Sequence, residues 1–239
     1  MEIKTTNDLK RFKADITRFL MVYKFGLDEI KTKIDILKQE FQYVHEYNPI
    51  EHVVSRVKSP ESILKKARKK GYGLSLSSIR ENINDIAGIR IICSFISDIY
   101  RISEMLQNQK NIKIIEYKDY IKYPKPNGYQ SLHLIMEVPV FMSDRTENVR
   151  VELQIRTIGM DFWASLEHKI YYKCNKEVPG NLRDELMDAA NTVRQLDMKM
   201  ELINKEISEI KESSSLEEET QEIIINNQKF YLPKDFFNE

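Results

Sequence analysis

The seven residues VELQIRT at 151–157 constrain the fold of this chain more than any other stretch. Read as a strand, they send Val151, Leu153 and Ile155 to one side and Glu152, Gln154 and Arg156 to the other, because strand side chains alternate. The first set is an ordinary core face. The second lines up an acid, an amide and a guanidinium, directly ahead of an apolar run with helical period. Such a strand belongs in a sheet with one dry face and one face carrying chemistry.

Three other runs also have strand character: GIRIICSF (88–95), NIKIIEY (111–117) and SLHLIMEVPV (131–140). The fourth strand spans 148–157, after a polar loop at 142–147. SDIYRISEMLQNQ and GMDFWASLEHKIYYK (159–173) read as helices. In SPES, Ser59 is the expected helix cap and Pro60 the first helical residue, with Gly71 and Gly73 ending that helix. Toward the N-terminus, Phe12, Ile16, Phe19, Leu20 and Tyr23 recur at helical spacing, as do Ile30, Ile34, Leu37 and Phe41 after Gly26. From Leu182 to Ile210 the apolar residues step by four and three alternately, a heptad seam that wants a partner helix. Packing on its own domain and packing on another subunit both satisfy that seam. The sum is an α/β (α+β) protein, one mixed sheet with helices against it. The expected division is N-terminal helices at 1–48, the sheet domain at 49–175, the heptad helix at 176–212 and an acidic linker with an apolar tail at 213–239.

The 239 residues are 41% hydrophobic and 31% charged, with seven Gly and seven Pro, which argues against a many-turned all-β protein. Formal net charge is zero, so no bulk attraction to membranes and no stable nucleic-acid partner are expected. No apolar run suits a bilayer or a signal peptide. Cys93 and Cys174 lack metal-ligand spacing and read as packing residues in a reducing, cytoplasmic setting.

No GxxxxGK[ST] loop is present, so if phosphates are bound, side chains must do more of the work. Arg56, Lys58, Lys65, Lys66, Arg68, Lys69 and Lys70 crowd one segment around a single acid, Glu61. Lys58, Ser62 and Lys66 are spaced by four at a helix N-terminus, the electrostatic makings of a polyphosphate cradle. A solvated basic helix has the same composition. Asp85 precedes a buried strand that carries Gly88 and Arg90. With Glu152 on a neighbouring strand it makes a carboxylate pair able to share Mg²⁺, although a lone Asp there is also an ordinary turn residue. The PKPNG turn delivers Tyr129 to an exposed position, where it can stack on a purine while Lys118 and Lys125 meet phosphates. His133 faces away from the core. Asp161, early in a helix, can accept both N–H groups of a guanine edge, or simply favour the helix dipole.

NDIAGIRII, KPNGYQSLHL and VELQIRT…DFWASLEHKIYYK, in this order and spacing, resemble the synthetase domain of the RelA/SpoT alarmone enzymes. SRVKSPESILKKARKK resembles its ATP-side segment. The overall layout looks most like the small alarmone synthetases of the RelP type. The resemblance implies a nucleotidyltransferase-like sheet and a GTP diphosphokinase, which moves pyrophosphate from ATP to the 3′-hydroxyl of GDP or GTP and releases AMP. It implies Mg²⁺ on Asp85 and Glu152, with Glu152 also the base. It places Arg56 and Arg90 around adenine, and Lys58, Ser62, Lys66 and Arg156 on the ATP side. Tyr129, His133, Gln154 and Asp161 fall beside the guanine nucleotide, with Lys118 and Lys125 near its 5′-phosphates. A homotetramer is implied as well. His45, His52, His133 and His168 are the only histidines and none precedes an Asp, so no hydrolase activity is expected. Two other readings stand beside this one: a nucleotidyltransferase on a similar scaffold, or an inactive oligomeric nucleotide- or RNA-binding module.

Overall fold

The structure, a computed structural model, describes residues 6–45, 47–173, 179–215, 220–225 and 228–233. Five strands form the central sheet: β1 (Ile50–Val57), β2 (Ala87–Cys93), β3 (Lys113–Asp119), β4 (Leu132–Phe141) and β5 (Thr146–Thr157), in the order β1-β2-β5-β4-β3. Only β2 and β5 run parallel, and the other pairs are antiparallel, so the sheet is mixed. β1 was not among the expected strands. Val54 is exposed and His52, Ser55 and Arg56 break the apolar alternation, as suits an edge strand.

Helix α1 (Thr6–Val44) is one helix rather than two, running unbroken through Gly26. There the missing side chain lets α1 press on Val149 of β5, where a Cβ would meet Val149 Cγ1 at 2.6 Å. α1 and α4 (Ile96–Gln107) together cover the apolar face of the sheet. Ile30 and Ile34 of α1, Ile99 and Ile102 of α4, and Ile89, Ile91, Leu134, Leu153 and Ile155 of the strands share one core. Each such side chain contributes roughly 1.5–3 kcal/mol when fully buried.

Helix α2 (Pro60–Lys70) starts as the sequence predicts, with Ser59 Oγ accepting from the Ser62 amide at 3.3 Å. It ends at Gly71, whose φ of 72° gives the left-handed cap. A further short helix, α3 (Leu76–Asn82), is capped in the same way by Ser75 and was not anticipated. Helix α5 (Ile158–Lys173) follows β5 directly, and α6 (Gly180–Ser215) is a single long helix. Within the apolar tail, β6 (Thr220–Ile225) and β7 (Gln228–Pro233) pair as an antiparallel hairpin, with β6 close to α1. Cys93 is fully buried, and burial pushes its thiol pKa up, as a packing residue requires. Cys174 and residues 216–219 and 234–239 lie outside the described residues. No helix among the described residues is long and apolar enough to cross a membrane.

Candidate active site

Strand register sets up the polar face. Arg90 pairs with Gln154, Gln154 with His133, and His133 with Lys118. One step along, Arg56 pairs with Gly88 and Gly88 with Glu152. Directly paired residues share a face, so these side chains form two rows across the sheet, opposite the apolar core. A cleft of about 160 Å³, lined by Arg56, Gly88, Arg90, Glu152 and Gln154 among others, opens over the β1–β2–β5 part of that face. Gly88 keeps its floor low: even a Cβ there would only reach 4.0 Å from Glu152 Oε2.

At one side of the cleft, Lys58 and Lys66 both donate to Asp85 Oδ2, Lys66 at 2.6 Å. The Lys58 amide also bonds Ile86 O at 2.8 Å, which holds the end of β1 beside the turn carrying Asp85. Burial by itself raises the Asp85 pKa, but hydrogen bonds and charge from the two lysines outweigh it and leave the carboxyl below its ordinary value. Ser62 is exposed on α2, one turn before Lys66. Asp85 Oδ1 is buried without a hydrogen-bond partner among the described residues, and so is Arg90 Nε.

Glu152 is the opposite case. Burial, and then the Asp85 charge, raise its pKa against the weaker pull of Lys58, Lys66 and Gln154. Gln154 Nε2 donates to Glu152 Oε2 at 3.1 Å. Two carboxylates that repel each other, one with an orphaned oxygen, suit a divalent cation bound through oxygen. No group of three or more His, Cys, Asp or Glu among the described residues could hold a metal by protein ligands alone. Two carboxylates suit an ion such as Mg²⁺, which keeps waters and shares its shell with phosphates.

On the other side, Gly128 carries a φ of 84° and closes a turn in which its amide donates to Lys125 O at 2.8 Å. The turn places Tyr129 half-buried, and this corrects the expectation of an exposed ring. Its phenol oxygen is held between Arg156 Nη2 and His133 Nε2, the latter at 2.8 Å, so the side chain folds inward. Lys125 Nζ stands 4.6 Å from the Tyr129 ring centre and 4.5 Å from that of Tyr120. Tyr120 lies edge-on to His133 at 5.2 Å and was not singled out from sequence. Only its closeness to the PKPNG turn pointed to it. Burial, followed by the charges of Arg156, Lys125, Lys118 and Arg90, drives the His133 pKa down to about 3. The 3.7 Å approach of its Nδ1 to Glu152 Oε1 is thus no ion pair at neutral pH.

Arg156, expected on the ATP side, is bonded instead within this half, as its hub. It is nearly fully buried, and its donors reach Ser131 Oγ, Asp161 Oδ1, Tyr129 Oη and Gln154 Oε1. Asp161 Oδ1 also receives Arg90 Nη1 at 3.0 Å, which links the two halves. Lys118 sits farther out on β3, paired with Glu116 at 2.7 Å, and Arg56 is exposed at the opposite margin. Asn127 Nδ2 donates to Glu167 Oε1 at 3.0 Å and ties the turn to α5.

Comparison with known proteins gives one answer. A profile of the region found in RelA / SpoT proteins matches residues 55–177. The GTP pyrophosphokinase YwaC of Bacillus subtilis (strain 168) is 53% identical over 209 residues, which are 87% of this chain and 100% of that protein. The crystal structure of small alarmone synthetase 2 from Bacillus subtilis superposes with a TM-score of 0.74 at 55% identity, covering 80% of this chain and 99% of that one. Small alarmone synthetase 1 from the same species, bound to its product pppGpp, gives a TM-score of 0.75 at 37% identity over 81% and 98% of the chains. With the mixed sheet, the carboxylate pair and the matched region in agreement, the chain belongs to the RelA/SpoT family.

Proposed function

We propose that the chain is a (p)ppGpp synthetase, a GTP diphosphokinase. It transfers the β,γ-pyrophosphate of ATP to the 3′-hydroxyl of GDP or GTP and releases AMP, without hydrolysing the product. The observation that carries this reading is the pairing of Asp85 and Glu152 beside Lys58 and Lys66, with the Tyr129–His133–Arg156 network on the adjoining strands.

Arg56 and Arg90 flank the donor base, and Lys58, Ser62 and Lys66 take its phosphates, where charge must be neutralised as it spreads. Glu152, buried and easier to protonate than an ordinary Glu, accepts the proton of the 3′-hydroxyl. The new bond joins the 3′-oxygen to the β-phosphorus as the bond from that phosphorus to the α,β-bridging oxygen breaks. Tyr129 stacks on guanine, Gln154, His133 and Asp161 surround the acceptor, and Lys118 and Lys125 meet its 5′-phosphates. Arg156 supports that set from beneath, since its donors are already engaged. Mg²⁺, held by Asp85 and Glu152, would supply charge neutralisation at the transferred group.

The assembly we infer is a homotetramer; the heptad row of α6 supports self-association, since Leu196, Met200, Ile203, Ile207 and Ile210 are all exposed on this chain alone. The setting is cytoplasmic. The test is product analysis from ATP with GDP or GTP and Mg²⁺, beside Glu152→Gln. AMP and a 3′-pyrophosphorylated guanine nucleotide are expected. Free pyrophosphate with a transferred AMP would identify a nucleotidyltransferase instead.

A further inference from the structure

α6 begins beyond residue 177, where the match to the RelA/SpoT region stops, yet it forms a wall of the candidate acceptor half. Trp163 Nε1 donates to Leu186 O at 3.0 Å. Gly128 rests on the next turn, where a Cβ would lie 2.5 Å from Ala190 Cβ and 3.1 Å from Met187 Sδ. Farther along, Gly159 approaches Val193 and Asp197, and Asp197 Oδ2 accepts from Thr157 Oγ1 at 2.7 Å. Glu201 Oε2 accepts from the Ser97 amide at 3.1 Å. Residues 186, 190, 193, 197 and 201 recur at helical spacing, so one face of α6 makes all these contacts.

That face also supports the tyrosine ring. Trp163, Ala164 and Ala190 form a small buried cluster apart from the main core, and Tyr129 and Val193 pack against it. Ala190 thus touches the turn just before Tyr129 and belongs to the cluster on which the ring rests.

We propose that Ala190 is a positioning residue for the acceptor nucleotide, acting through Gly128 on Tyr129; this rests on the synthetase reading above. A methyl group at 190 lets the turn come close enough for Tyr129 to reach both Arg156 and His133. A longer side chain pushes the turn outward and carries the stacking ring with it. Displacements of an ångström at a binding group are enough to lower turnover about a hundredfold. The donor side, built by β1, β2 and α2, is joined to this contact only indirectly, through the Arg156–Asp161–Arg90 bridge.

The test uses the full chain with Ala190→Met. KM for GDP and GTP should rise about tenfold or more, while KM for ATP stays within about twofold. Emission of Trp163, the only tryptophan, reports whether α6 remains docked. Equal changes in both KM values, or none, overturn the proposal. If Ala190→Met loses the docked emission, Gly128→Ala and the double variant Gly128→Ala/Ala190→Gly decide. Removing the Ala190 methyl relieves the 2.5 Å clash but neither the Met187 contact nor the strain of a Cβ at a φ of 84°, so the double variant should recover part of the acceptor KM lost in Gly128→Ala. No recovery overturns the proposal. Should the wild-type chain make no pyrophosphorylated nucleotide, the synthetase reading falls by itself. Calorimetric titration with GDP then decides the positioning role: weaker binding to Ala190→Met supports it and unchanged binding ends it.

Discussion

Glu152 and His133 face each other across the β5–β4 ladder, Oε1 to Nδ1 at 3.7 Å, and their surroundings push their proton affinities in opposite directions. His133 is neutral throughout the working range. The Tyr129 hydroxyl accepts from Arg156 and shares a hydrogen bond with His133 Nε2. When the hydroxyl donates in that bond, the imidazole proton sits on Nδ1, the nitrogen nearer the Glu152 carboxylate. A hydrogen-bonded chain from a buried arginine thus ends at the ring that flanks the candidate base.

The acid limb of kcat/KM should therefore belong to Glu152, whose pKa burial raises and a bound Mg²⁺ would lower, with no limb from His133. Activity needs the ionised carboxylate, so it falls as pH drops through that pKa. Lys66→Met removes a cation that lowers this pKa, and the limb should move to higher pH. A pH–rate profile showing the same limb in both proteins would remove Glu152 from the role of base.

Glu152→Gln should lower turnover by about 10²–10⁴-fold, the usual range for loss of a general base. It should also raise the Tm at neutral pH. A carboxyl whose folded pKa is raised burdens the fold once ionised and ceases to do so once protonated. The Tm difference should shrink as pH falls through that pKa, which thermal scans across pH will show.

Asp85→Asn separates phosphate binding from turnover. Lys58 and Lys66 spend their hydrogen bonds on the Asp85 carboxylate and are released by its neutralisation. In a chelator, ATP should bind this variant at least as tightly as it binds the wild type. With Mg²⁺ present, synthesis should fall about a hundredfold or more. Calorimetry and product assay give the two readouts.

Arg156→Met should lower stability by about 2–3 kcal/mol, because it strips charged hydrogen bonds from buried acceptors. It also removes the strongest of the charges that, after burial, hold the His133 pKa near 3, which should then rise. Denaturant unfolding and an NMR titration of the imidazole measure these effects. Arg156→Lys should rescue little, since a single ammonium cannot replace a planar fork.

The sheet was legible where alternation was strong. β2, β4 and β5 each show one apolar and one polar side, and Ser59–Pro60 marked the start of α2. β1 escaped because an edge strand need not alternate cleanly. The turn residues located the loop before Tyr129 but not what meets it: Arg156 lies 27 residues away in sequence. The heptad pattern of α6 was real, but it follows mostly the exposed row. The docked face uses Asp197 and Glu201 as acceptors, and hydrophobic periodicity does not register acids.

The strand order has one further consequence. From β1 to β3 there are four gaps of about 4.8 Å, or about 19 Å in all. The sheet is thus a ruler, with Arg56 near one end and Lys118 at the other. Its graduations are backbone hydrogen bonds, which no loop movement stretches. Changes in the surrounding loops can alter what lies beside each mark, but the spacing of the strands stays the same.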